Sequence, residues 1–252
     1  MSGEILDGQT FLLSVAFLLV ALVYAAVGQA GASGYIALMG LSGFAPVVMK
    51  TTALSLNVVV AAIGTAVFLR SGRLSWRNVW PFAVLGFPFS VLGGATHLPE
   101  QVYFPVVGIV LVLSAIQMGR SASRSVPSIQ TVAVAPPVVA ALATGAAIGF
   151  ISGMTGTGGG VFLAPIILGM NWGTVRQTAA TTAVYNLLNS AAALIGAYST
   201  WSDIPCELPF WLLAVVAGGS IGAYVGSRFF PDRMLRTILS LLLLVSGLKL
   251  LL

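Results

Sequence analysis

The sequence predicts an all-α polytopic membrane protein made of two inverted repeats, each a glycine-broken helical hairpin plus three transmembrane helices. Three observations predict it. Hydrophobic residues form 58% of the chain and charged residues 7%, with a mean hydropathy of +1.02, whereas soluble domains carry about 25% charge. Glycine-rich interruptions occur twice inside apolar runs, at 28–34 and 153–160, at matching places in the two halves. The arginines fall on one side of a membrane only if each interrupted region enters and returns.

The 252 residues supply about ten hydrophobic segments of about 20 residues or fewer and leave little for a soluble domain. Residues 1–252 therefore read as one membrane domain: repeat one at 1–118, a polar linker GRSASRSVPSIQ at 119–130, and repeat two, inverted, at 131–252. No Lys or Arg precedes Lys50, so the basic start of a cleavable signal peptide is absent and the first apolar run, 10–27, is expected to stay. GQAGASG at 28–34 breaks the helix that follows, because each glycine costs about 1 kcal/mol relative to alanine. A shorter apolar run, 35–48, comes next. Lys50 opens segment 51–69, which ends at Arg70, Arg73 and Arg77. Segment 78–96 leads through a turn with His97, Pro99 and Glu100 to segment 101–118.

The same order returns after the linker. Pro136 and Pro137 suit the first turn of a helix, which runs to the break at 153–160 and continues as a short arm to about 171. Arg176 opens segment 176–199, an acidic turn with Asp203 and Glu207 precedes segment 208–227, and segment 237–252 ends the chain. Gly28, Gly31 and Gly34 match Gly153, Gly156 and Gly159 at an offset of 125, Lys50 matches Arg176 at 126, and Pro99 matches Pro231 at 132. A duplication explains this order.

Charge sets the orientation. Four ordinary spans in each half divide the Lys and Arg residues six to five between the two sides. Hairpins that enter and return instead put nine together, Arg70, Arg73, Arg77, Arg120, Arg124, Arg176, Arg228, Arg233 and Arg236, against Lys50 and Lys249. The positive-inside rule prefers the second arrangement. The apolar arms 35–48 and 161–171 are also shorter than the roughly 20 residues of a full span, as in re-entrant hairpins that meet near the midplane.

Irregular backbone at membrane depth survives only where protein or a water-filled cavity surrounds it, and broken helices of this kind hold ligands in transporters. The free N–H groups and the dipole at the start of a short helix make an anion site without a cationic side chain. The substrate-binding candidates are therefore Gly31, Ser33 and Gly34 in the first break, and Gly156, Gly158, Gly159 and Gly160 in the second, with hydroxyls from Thr155 and Thr157. Close helix packing on small residues is the alternative. On the segments that follow lie Ser55 and Asn57, and Thr178, Thr181, Thr182, Asn186 and Asn189. Thr178, Thr181, Thr182, Tyr185 and Asn189 share one helix face, which should point inward. Hydroxyls and amides can donate to an oxyanion or bond between helices; Asn57, Thr181, Asn186 and Asn189 join the binding candidates. Lys50 and Arg176 mark the two mouths of the pathway, either raising local anion concentration or snorkelling from a helix start.

Several classes are excluded. The one cysteine, Cys206, makes no internal disulfide and no metal cluster. No Asp or Glu lies in the middle of a predicted span, which removes the usual carboxylate of proton-coupled carriers, the ligands of a divalent-cation carrier and any catalytic set at depth. No metal, cofactor, enzymatic activity or nucleic-acid partner is expected; the partners are a small anionic substrate and membrane lipid.

At GFISGMTGTGGGVFLAPIIL, followed by VRQTAATTAVYNLLNS, the sequence resembles the sulfite exporter TauE/SafE family, membrane proteins associated with export or uptake of sulfite, sulfonates and related sulfur-containing anions. The resemblance covers nearly the whole chain, although GQAGASGYIALMG in the first half has Ser33 and Tyr35 where the second has Gly158 and Gly160. It implies a multi-pass transporter, first of all an exporter, of a small sulfur-containing anion such as sulfite or an organosulfonate in a bacterial inner membrane. An uncoupled anion channel and a non-transporting membrane partner subunit are the alternatives. Outward movement of an anion is downhill by about 2.3 kcal/mol per charge per 100 mV when the inside is negative, so export needs no coupling ion.

Overall fold

The computed structural model describes residues 8–26, 28–70, 72, 74–123, 134–229 and 232–252. Each half contributes five helices: α1 Gly8–Ala26, α2 Ala32–Leu41, α3 Pro46–Arg70, α4 Trp76–Ala95 and α5 Glu100–Ser123, then α6 Val138–Thr155, α7 Gly160–Gly169, α8 Val175–Gly196, α9 Leu208–Phe229 and α10 Asp232–Leu251. A 3-10 turn, Tyr198–Asp203, lies between α8 and α9. No strand occurs among the described residues. Residues 46–70, 76–95, 100–120 and 138–155 are helical, long and apolar enough to cross a membrane, and large apolar side chains such as Phe11, Leu12 and Leu213 face outward. The chain is a multi-pass membrane protein, all-helical among the described residues. At a rise of about 1.5 Å per residue, α2 and α7, with 10 residues each, reach only about half of the roughly 30 Å apolar layer.

Local sequence explains the helix ends. Pro46 opens α3 and Pro137 caps α6, positions where a missing N–H costs nothing. Thr174 and Gln177 form a reciprocal capping box at the start of α8. Gly43, at φ +77°, turns the chain after α2. The short arm therefore stops at Leu41 rather than 48, and Lys50 falls inside α3 rather than ahead of it. Helix α5 runs through Ser123 into the stretch expected as linker; the rest of that linker, 124–130 with Arg124, and also Arg73, lie outside the described residues.

The packing pairs exchange when the halves are exchanged. Helix α1 packs on α9 and α6 on α4; α3 packs on α9 and α8 on α4; α3 also meets α8, and α5 meets α10. Helices α4 and α6 run parallel with backbones touching: Gly145 lies against the Phe82 carbonyl, Gly149 against Gly86, and Gly153 against Ser90. Helices α1 and α9 also run parallel, Gly218 on Leu18 and Gly222 on Leu22, whereas α5 and α10 are antiparallel, Gly108 beside Gly247 and Gly119 beside Ser240. Small residues permit such approach in membranes. Gly149→Leu should push α4 from α6 and lower the melting temperature of the purified protein, as overpacking costs about 1–3 kcal/mol; an unchanged melt would contradict this contact.

Two apolar clusters fix each hairpin to the other half. Phe17 stacks edge-on against Tyr35 and Trp211 at 5.6 and 5.4 Å, joining α1 and α2 to α9. Phe82, Ile148, Leu163 and Tyr185 form the second cluster, joining α4 to α6, α7 and α8. The Val134 N–H donates to the Asn171 carbonyl at 2.9 Å, so the α6–α7 hairpin closes at its open end.

Candidate functional site

The two breaks are left-handed turns. Gly28 and Gly31 have φ of +78° and +98°, and Gly156, Gly158 and Gly159 have +84°, +78° and +79°. Gly31 and Gly159 are the N-caps of α2 and α7; having no side chain, neither caps the amides that follow. Matching the helix ends pairs Gly28 with Gly156 and Gly31 with Gly159, 128 residues apart. This corrects the offset of 125. Gly34 sits inside α2 against Val20 and Tyr24, and Gly153 belongs to the α6 face on Ser90; both are packing glycines. The pairing of Lys50 with Arg176 shifts as well. Lys50 is the fifth residue of α3, and the fifth of α8 is Ala179, whereas Asn57 and Asn186 are each the twelfth.

Asn57 joins the breaks. Fully buried, it accepts the Ala32 N–H at the start of α2 at 2.9 Å, and its Nδ2 donates to Ser190 Oγ at 2.7 Å and Asn186 Oδ1 at 3.2 Å. Gly158 of the second break fits against this cluster: a Cβ there would collide with Asn57 Nδ2 and lie 2.5 Å from Asn186 Oδ1. A Cβ on Gly160, the first residue of α7, would lie 3.2 Å from Asn186 Cγ. Each asparagine therefore stands at the start of the short helix of its own half, and the two bond to each other between them.

The other candidates spread around this point. Asn189 Nδ2 donates to Ser152 Oγ at 3.0 Å, and a Cβ on Gly159 would lie 2.9 Å from that nitrogen. Thr155 Oγ1 donates to the Ile151 carbonyl at 2.8 Å and lies 3.0 Å from the Thr157 hydroxyl, while Tyr103 OH donates to the Thr155 carbonyl. Ser33 Oγ lies 2.8 Å from Tyr24 OH. Thr178, Thr181, Thr182, Tyr185 and Asn189 are all buried. Part of that face serves packing, since Tyr185 OH donates to the Gly145 carbonyl and Thr182 Oγ1 to the Thr178 carbonyl, each at 2.8 Å.

A cavity of about 70 Å³ opens onto the first break. Gly28, Gln29 and Asn186 form its polar end, and Val60, Phe68 and Ala183 are among its apolar walls. Gln29 Oε1 is buried with no hydrogen-bond partner among the described residues. Sequence reasoning passed over Gln29, although its place between two break glycines was a usable signal. Ser152 and Ser190 gave none, because only the fold brings them to Asn189 and Asn57.

Lys50 is not at an open mouth. It is 7% exposed, and its Nζ donates to the carbonyls of Gly94 at 2.6 Å, Thr96 at 2.9 Å and Gly93 at 3.3 Å. It thus satisfies the last carbonyls of α4 and sits at the negative end of that helix dipole. Arg176 lies in the first turn of α8; its side chain is outside the described residues.

The family model described as Sulfite exporter TauE/SafE matches residues 13–250. The chain is 64% identical over 246 residues, covering 98% of its own length and 100% of the relative, to "Probable membrane transporter protein y4hK" of Sinorhizobium fredii (strain NBRC 101917 / NGR234). No solved structure matches.

Proposed function

This chain belongs to the sulfite exporter TauE/SafE family, and on that premise we propose that it exports a small sulfur-containing anion, a sulfite or sulfonate, held near the midplane between its two glycine-broken hairpins. The carrying observation is the cluster at Asn57, which hydrogen-bonds the start of α2, Asn186 and Ser190 and against which Gly158 of the second break packs. The polar groups of this cluster are all neutral: a backbone N–H, side-chain amides and a hydroxyl. Such a site replaces hydration of the anion without holding it by a full opposite charge, and so allows release.

The lining of the cavity narrows the substrate. Among the described residues that line it there is no cationic side chain and no carboxylate. A second negative charge would be buried without compensation, and so would an ammonium group on a zwitterion. The favoured ligand is a singly charged oxyanion whose remaining surface is small and uncharged. In a thermal-shift panel of sulfite, thiosulfate, sulfate, taurine, isethionate and sulfoacetate, isethionate should stabilise the purified protein more than sulfate or taurine, because a ligand that binds only the native state raises apparent stability. Equal shifts for all six, or none, would remove the reading.

The two halves act as inverted repeats in this proposal. The exchange of packing pairs between halves and the antiparallel course of α5 and α10 support it. The arginine distribution then sets the α3 C-terminus on the cytoplasmic side of a bacterial inner membrane, and the cavity, walled by Val60 and Phe68 of that end of α3, faces the cytoplasm. An anion entering there leaves outward down the membrane potential.

A further inference from the structure

We propose that the protein has a second anion vestibule, related to the open cavity by the correspondence between halves and sealed here by Lys50, which acts as its latch. The nature of the ligand rests on the transport reading above; the latch does not. The open cavity lies where the first break passes α8: a Cβ on Gly28 would be 3.8 Å from Ala179 Cβ. At the corresponding place in the other half, a Cβ on Gly156 would be 3.1 Å from Lys50 Cα. The same groups recur there. Thr157 follows Gly156 as Gln29 follows Gly28, Asn57 stands for Asn186, and Leu54 stands for the cavity wall Ala183.

What differs is the lysine. Helix α4 is pressed onto its neighbours, Gly93 against the Phe150 carbonyl and Gly94 against the Ala193 carbonyl, as α9 is onto α1. The Lys50 side chain crosses from α3 to three carbonyls at the end of α4, a span that the methyl group of Ala179 cannot make. Hydrogen bonds from a charged donor are worth more than neutral ones, so this set holds α3 and α4 together. The partners of the ammonium are carbonyl dipoles rather than carboxylates. An anion arriving at Gly156 therefore competes for Lys50 with partial charges and can draw it away, which frees α4 and opens this side. Lys50 becomes a contact of the departing anion only then, and in this structure it is a positioning residue.

The test is thiol labelling from either face of the membrane. Cys206 is exposed, so it is first replaced in a Cys206→Ser background. Leu54→Cys reports on the sealed vestibule and Ala183→Cys on the open one. With Lys50 present, an impermeant maleimide should label Ala183→Cys from the α3 C-terminal side and leave Leu54→Cys protected. Lys50→Met should raise labelling of Leu54→Cys from the opposite side by roughly tenfold or more, the response to losing one set of charge-assisted bonds, while Lys50→Arg stays close to the parent. Continued protection of Leu54→Cys in folded Lys50→Met protein overturns the latch. If Lys50→Met does not fold, the converse Ala179→Lys decides: it should slow labelling of Ala183→Cys, and unchanged labelling overturns the proposal. Altered labelling together with no movement of any sulfur anion would remove the substrate reading and keep the vestibule.

Discussion

Gly158→Ala is expected to reduce anion flux through reconstituted protein by roughly a hundredfold while the protein stays folded. Two costs add. Gly158 has φ +78°, where an L-residue loses about 1–2 kcal/mol, and the added methyl group would collide with Asn57 Nδ2. Displacing that amide breaks its bonds to Asn186 and Ser190, worth about 1 kcal/mol each. The sum, about 3 kcal/mol, is about two decades at 1.4 kcal/mol per decade. Gly43→Ala is the control. Gly43 has nearly the same φ, +77°, but nothing lies within 4 Å of its Cβ position, so strain alone should leave flux within a few-fold of the parent. Initial rates in proteoliposomes check both variants, and equal losses in the two would mean that backbone strain, not the Asn57 cluster, matters.

Asn57→Asp should be more damaging than Asn57→Ala, although aspartate is nearly the same size. Asn57 is fully buried and uses both ends of its amide. A carboxylate keeps the acceptor for the Ala32 N–H but has no donor for Ser190, faces Asn186 Oδ1 with like polarity, and places a negative charge in the proposed anion site. Burying an unpaired charge costs more than losing a neutral hydrogen bond. Flux should fall by two orders of magnitude or more, with a lower melting temperature, whereas Asn57→Ala should lose about one order. If Asn57→Asp carries anion faster than Asn57→Ala, Asn57 does not line the path.

The helical fold was legible because the signals behind it are local. Runs of apolar residues, prolines at helix starts and glycine clusters each act on the backbone within a few residues, and the boundaries of α1, α4 and α6 follow them closely. The early stop of α2 escaped because a single glycine, Gly43, carries it in an otherwise apolar stretch. The correspondence of the two breaks differs from the glycine match for a physical reason. Gly28, Gly31 and Gly34 recur at nearly one helical turn, as do Gly153, Gly156 and Gly159, so glycine matching favours the offset of 125, with three pairs, over that of 128, with two. Backbone handedness decides for the second: Gly34 and Gly153 are helical, whereas Gly28, Gly31, Gly156 and Gly159 are left-handed.

By itself, the sequence determined that this is a helical membrane protein, where its two helices break, and which polar residue types lie beside the breaks. Those properties depend on composition and on neighbours in the chain. Tertiary structure alone decided that both breaks converge on Asn57, that Asn57 pairs with Asn186 and Ser190, and that Lys50 turns inward to close α4 instead of standing at an entrance. Each of these joins residues from different helices, and nothing in the local pattern of a helix states which neighbour its polar face will meet. A lysine at a helix start reads the same whether it reaches water or the carbonyls of a helix more than forty residues away.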